Sequence, residues 1–235
     1  TPWGTYLACE ENFNGYFKGP LAPSADQKRY GLTEKGFGFR WHEHDERFDA
    51  TRHPNEVNRF GWVVEIDPWR PDQQPVKRTA LGRFKHEGAT VTLARDGRVV
   101  VYMGDDERFE YVYKFVSHDR YRAGNPGNAR LLDTGTLYVA RFDDDGKGRW
   151  LPLRHGEKYP NGTLTADNGF TSQGEVVIRC RQAADLAGAT KMDRPEWIAV
   201  HPQSGEVYVT LTNNGKRGTP EMPGLNAANP RPENH

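Results

Sequence analysis

One short segment type recurs three times along this sequence: an apolar, β-compatible run that leads directly into a pair of acids or amides. It reads Tyr6-Leu7-Ala8-Cys9 into Glu10-Glu11, Val100-Val101-Tyr102-Met103-Gly104 into Asp105-Asp106, and Tyr208-Val209-Thr210-Leu211-Thr212 into Asn213-Asn214. The last two copies each follow a second matching run, His86-Glu87-Gly88-Ala89-Thr90-Val91 and Arg194-Pro195-Glu196-Trp197-Ile198-Ala199-Val200. Superposing Glu87 on Glu196 brings Val91 onto Val200. With one residue inserted in the turn, Val101 falls on Val209 and Asp105 on Asn213. Polar residues at equivalent ends of equivalent strands are how a repeat protein gathers one central site.

Taken in order, the chain is mostly strand and loop. Pro2 and Gly4 punctuate the start, and Thr5 to Cys9 reads as a strand. Residues 13–59 form a long inserted loop region rich in Gly, Asn, aromatic and charged residues, and a loop of that length in a compact domain usually serves function. Gly61 to Pro68 is a strand closed by a turn, with Val76 to Leu81 as its partner. Arg95-Asp96-Gly97 between two apolar runs is a hairpin signal. With Tyr111 to Val116 and Gly135 to Phe142 it completes four successive strands, the unit of a propeller blade. Trp150 to Leu153 then begins the next blade, and the spacing of apolar residues between Gly174 and Thr190 predicts the one short helix. The expectation is an all-β chain, a partial β-propeller in which residues 1–235 form part of a single domain truncated at both ends.

Charge excludes one broad class of function. Lys plus Arg and Asp plus Glu both number 32, so the formal net charge is zero and nothing tracks a nucleic-acid backbone. No run of 18 apolar residues exists, so no transmembrane helix is encoded. The first residue is Thr1, already at the edge of a strand, so the lack of a leader says little about compartment. Cys9 and Cys180 are too few for a disulfide framework.

The recurrent strand ends carry the chemistry. Acid and amide pairs commonly form turns, but three at matched positions, joined by Glu87 and Glu196 at another, point to a shared site. Carboxylates brought together repel unless protonated or bridged by cations, and hard oxygen ligands suit Ca²⁺ or Mg²⁺. Cys9 stands beside Glu10 and Glu11, where a thiolate needs a metal to offset its charge, so a transition metal is expected alongside calcium. Arg194, two residues from Glu196, is placed to take phosphate oxygens bidentately, with Lys191 as an assistant. His86 is a possible ligand or a neighbour of ligands. Cys180, the His42-Glu43-His44 group and the Asp143-Asp144-Asp145-Gly146 turn read as structural or solvated.

Five ordered motifs resemble one family: Thr1-Pro2-Trp3-Gly4-Thr5 through Cys9-Glu10-Glu11-Asn12, Phe84 to Ala89, Tyr102 to Glu107, Gly135 to Phe142, and Thr190 to Trp197. They are similar to the PhoX family of bacterial alkaline phosphatases, over essentially the whole chain but only part of the family's length. The resemblance implies a six-bladed β-propeller with Ca²⁺ and Fe³⁺ in its funnel, hydrolysing phosphate monoesters through a metal-bound oxo or hydroxide group. It further implies a monomer exported by the twin-arginine route to the periplasm or the extracellular space. By motif position Cys9 is the iron thiolate, and Glu87 and Glu196 bind metals. Glu10 or Glu11 and Asp105 or Asp106 complete the shells. Arg194, with Glu196 beside it, serves catalysis and Arg194 holds the phosphate. Asn213 is a ligand candidate by internal symmetry alone. A piece lacking blades is expected to be inactive by itself. Two other readings compete: a non-catalytic calcium-stabilised propeller that binds partners, and a calcium-dependent propeller esterase or lactonase.

Overall fold

The computed structural model describes residues 1–230. The described residues form antiparallel strands in four sheets. β1 (Tyr6–Cys9), β2 (Val63–Ile66) and β3 (Val76–Lys77) form the first. β4 (His86–Leu93), β5 (Arg98–Asp105), β6 (Val112–Arg120), β7 (Gly135–Phe142) and β8 (Gly148–Pro152) form a five-stranded meander, the complete blade. β9 (Lys158–Tyr159) and β10 (Gly162–Thr163) make a small hairpin, and β11 (Pro195–Val200) pairs with β12 (Val207–Leu211). β4 packs against both β1 and β11, so the leading strands of three sheets stand side by side as in a propeller.

Alternation along β5 explains the blade. Val99, Val101 and Met103 are fully buried, as are Tyr113 and Phe115 on β6 and Val139 on β7, and these side chains form one core. The other side of that core is closed by α2 (Gln173–Ile178) and α3 (Cys180–Ala187), through Val176, Cys180, Ala183, Ala184 and Ala187. Cys180 is thus a core residue, and its thiol donates to the Arg83 carbonyl.

Several expectations are corrected. Trp150 belongs to β8, a fifth strand of the same blade rather than the start of another. The turn at Asp143 reverses the chain at once, with the Asp143 N–H donating to the Lys147 carbonyl at 2.8 Å. Of the stretch Val76 to Leu81 only Val76–Lys77 pairs as strand, because the Arg78 side chain turns inward to Glu65 and Asp133 and the chain coils at Thr79–Leu81. The single helix is two, broken at Arg179, whose backbone (φ −111°, ψ 38°) leaves the helical region while its side chain reaches the Gly169 carbonyl.

The inserted region is an ordered unit. Phe13, Phe17, Tyr30, Leu32, Phe48, Ala50 and Val57 form a core of their own. A third helix, α1 (Ala25–Arg29), sits there on a Ser24 capping box. Arg83 ties this unit to the blade: its buried guanidinium donates to the carbonyls of Phe60 and Val57 and lies 4.1 Å from the Tyr30 ring centroid.

Candidate metal centre

The two hairpins that share the repeat also share an irregularity. The pairing register of β4 with β5 shifts between His86 and Gly88, and that of β11 with β12 between Pro195 and Ile198. Glu87 and Glu196 therefore sit at bulges, which re-aim side chains out of the regular pleat. Gly104 lets the hairpins meet: a Cβ there would lie 2.7 Å from the Pro195 carbonyl oxygen and closer still to that of Glu196. The same register corrects the equivalence of Asp105 with Asn213. Asp105 pairs with His86 and Leu211 with Pro195, so Leu211 is the counterpart of Asp105. Asn213 is exposed, two residues further on.

Neighbouring acids in each pair have separate fates. Glu10 is turned away, accepting from the Gly61 and Trp62 N–H groups at 2.9 and 3.0 Å and from Lys77 Nζ at 2.7 Å. Asp105 is fully buried, and both its oxygens are taken by Arg181, whose Nε and Nη2 donate at 2.8 and 2.5 Å. Glu11 and Asp106 point the other way. One carboxylate oxygen from each of Glu11, Glu87 and Asp106 lies within 4.8 Å of the others. Asp106 Oδ2 accepts from Arg194 Nη2 at 2.9 Å, whereas its buried Oδ1 has no hydrogen-bond partner among the described residues. Glu196 stands at the edge, accepting from Thr212 Oγ1 at 3.1 Å and lying 3.7 Å from Arg194 Nη2.

The electrostatics record the crowding. Burial, then the charges of Glu11, Glu196 and Asp106, push the Glu87 carboxyl up to about 6. Burial and Asp106 likewise raise Glu11. Cys9 is half-buried, and burial followed by the charge of Glu87 pushes its thiol up to about 11. A thiolate there requires a cation. Cys9 and Glu87 line one groove between β1 and β4, roofed by Trp197.

Arg194 has a left-handed backbone, with φ 48°, which costs a non-glycine residue about 1 kcal/mol or more. Its carbonyl accepts from the Thr212 N–H, pinning that conformation to the end of β12. Lys191 is exposed, and its carbonyl accepts from Arg217 and Asn229. His86 is fully buried, stacked 3.7 Å from Phe84, and burial pushes it down to about 3, so it is a neutral core group. Glu43 is spent on Arg40, and His44 is exposed. Sequence reasoning missed Lys85, Glu107 and Thr212. Only the position of Lys85 between Phe84 and His86, ahead of a glutamate, hints that it is buried.

An oxygen-rich set with an orphaned buried oxygen is what a hard cation needs: Glu11, Glu87 and Asp106 repel one another until a positive charge joins them. The cysteine one strand away offers a softer donor.

Two comparisons with known proteins find a match. The family described as alkaline phosphatase PhoX matches residues 1–235. Pseudomonas fluorescens PhoX, solved in complex with vanadate, a transition state analogue, is 53% identical with a TM-score of 0.92. That similarity covers 100% of this chain and 42% of the Pseudomonas chain. No curated protein matches.

Proposed function

The chain belongs to the PhoX alkaline phosphatase family, and from that premise we propose that it carries part of the active centre of a metal-dependent phosphomonoester hydrolase. The observation that carries this reading is Asp106: one oxygen bonded to Arg194, the other buried beside Glu11 and Glu87 without a partner among the described residues. Glu11, Glu87 and Asp106 would hold hard cations, Ca²⁺ by their donor type. Cys9 would supply a thiolate for Fe³⁺ beside Glu87, and Glu196 would complete the carboxylate wall. When bound, such cations would supply Lewis acidity and lower the pKa of an attacking water.

The chain's own residues then do the following. The carboxylates fix where positive charge accumulates, and Arg194 marks where the phosphoryl group sits. Only its Nη2 is committed to carboxylates among the described residues, so the N–H groups of Nε and Nη1 remain to donate to phosphoryl oxygens. Those donors favour the transition state, in which charge moves onto the equatorial oxygens. Tethering by Asp106 and the left-handed backbone hold the guanidinium in place before substrate arrives. The vanadate bound by the Pseudomonas relative is consistent with a phosphoryl site of this kind. Lys191, exposed, adds positive charge at the periphery. The family points to action outside the cytoplasm, and no described helix is long and apolar enough to cross a membrane.

The test is hydrolysis of p-nitrophenyl phosphate by the whole protein containing this chain. Turnover should require calcium and vanish with EDTA, and Arg194→Met should lower kcat/KM on the order of a hundredfold. Metal analysis of active protein should find both calcium and iron, and calcium without iron would remove the mixed centre. A metal-loaded, folded protein with no turnover of any phosphomonoester would overturn the assignment.

A further inference from the structure

Lys85 lies directly ahead of β4, two residues before Glu87. It touches three consecutive acids. Its N–H donates to Asp105 Oδ1 at 3.2 Å, its carbonyl accepts from the Asp106 N–H at 3.1 Å, and its Nζ donates to Glu107 Oε2 at 2.8 Å. The side chain is buried, with only 7% exposed. The inserted region roofs it: a Cβ on Gly31 would lie 3.9 Å from Nζ, and Asn14 donates to the Gly31 carbonyl at 2.9 Å. An ammonium shielded in this way forms a strong charge-assisted bond. The second oxygen of Glu107 accepts from the Arg108 N–H at 3.1 Å. Both oxygens are thus engaged, and Glu107 stands outside the set formed by Glu11, Glu87 and its own neighbour Asp106.

We propose that Lys85 is a positioning residue that sets the charge of the cation site, withholding Glu107 from the Glu11, Glu87 and Asp106 set and neutralising its charge at the edge of that set. This rests on the reading of that set as a cation site. Without the ammonium the corner gains a net negative charge and a carboxylate able to swing inward. Without the Glu107 carboxylate, an unneutralised ammonium repels the incoming cation. Removing both restores the original balance.

The experiment titrates calcium ion alone into metal-stripped whole protein by calorimetry. Lys85→Met should bind calcium roughly fivefold more tightly than wild type and Glu107→Gln roughly fivefold more weakly, the order expected of one unit charge near a divalent ion. The double variant and Lys85→Arg should fall within about twofold of wild type. A merely structural role predicts weaker binding in every variant and no recovery in the double. Lys85→Met binding no more tightly than wild type, or a double variant that fails to recover, overturns the proposal. Should Lys85→Met not fold, Glu107→Gln decides, and binding as tight as wild type sinks the idea. Calcium failing to bind wild type would overturn the cation site itself along with this role. Binding with the wrong order removes Lys85 alone.

Discussion

In the β4–β5 hairpin the bulged glutamate, Glu87, is followed across the turn by three consecutive acids. In the β11–β12 hairpin the bulged Glu196 is followed by Thr212 and two asparagines. Beneath each exit lies a buried ion pair. Arg181 holds Asp105 in the first, and Arg217 holds Asp193 at 2.6 Å in the second. The framework is therefore common, and the difference lies in what is left over. After Arg181 has taken Asp105, the first hairpin still presents Asp106. After Arg217 and Asn214 have taken Asp193, the second presents Arg194. One hairpin leaves a carboxylate and the other a guanidinium. On the function proposed above, the same fold unit, run twice with different remainders, would make both halves of a phosphoryl site.

Breaking the exits should separate them most. Asp106→Asn is expected to cut phosphatase activity on the order of a thousandfold, since it removes the one carboxylate shared by Arg194 and the cluster. Asn213→Ala should leave kcat within about twofold, as expected of an exposed amide off the strand register. Parallel assays of the two variants on p-nitrophenyl phosphate check this contrast, and equal losses would restore the symmetry that the pairing register denies.

Breaking the shared framework should hurt both hairpins alike. Arg181→Met and Arg217→Met each remove the buried guanidinium paired with a carboxylate and are expected to cost about 3–5 kcal/mol, measured by urea unfolding. A small loss in only one would show that the two pairs are not equivalent supports. Gly104→Ala acts at the contact between the hairpins. With a Cβ driven against the Pro195 and Glu196 carbonyls, it should cost about 1–3 kcal/mol and weaken calcium binding at the same time.

The smallest effect is a pH dependence confined to metal-free protein. Glu87 has its folded value raised to about 6 from an ordinary value of 4.5. The stability it contributes is therefore fully present below about 4.5 and is lost as pH rises through about 6. Thermal melts in EDTA should show Tm falling across that window, with added calcium flattening the slope. Glu87→Gln should flatten it without calcium.

Much of this was legible in the chain. The repeat itself, with glutamates at matched positions, was visible because strand period and turn residues are local. So were the hairpin turns at Asp96-Gly97 and Asp145-Gly146. Which member of each acidic pair faces the site was not legible, since that depends on distant partners: Lys77 and the Gly61–Trp62 backbone for Glu10, and Arg181 for Asp105. The false equivalence of Asn213 arose because a turn difference and two bulges shift the pairing, and composition records neither. Lys85 was missed because a lysine's burial depends on the roof supplied by a separate segment.

The left-handed backbone of Arg194 sets chemistry against folding at a single position. Glycine or asparagine would occupy φ 48° with less strain, yet neither carries a guanidinium. In a randomised library sorted only for thermal tolerance, position 194 should drift toward those two residues. In one sorted for growth on an organic phosphate as the sole phosphorus source, arginine should persist. The identity recovered at that codon would report which demand the selection had imposed.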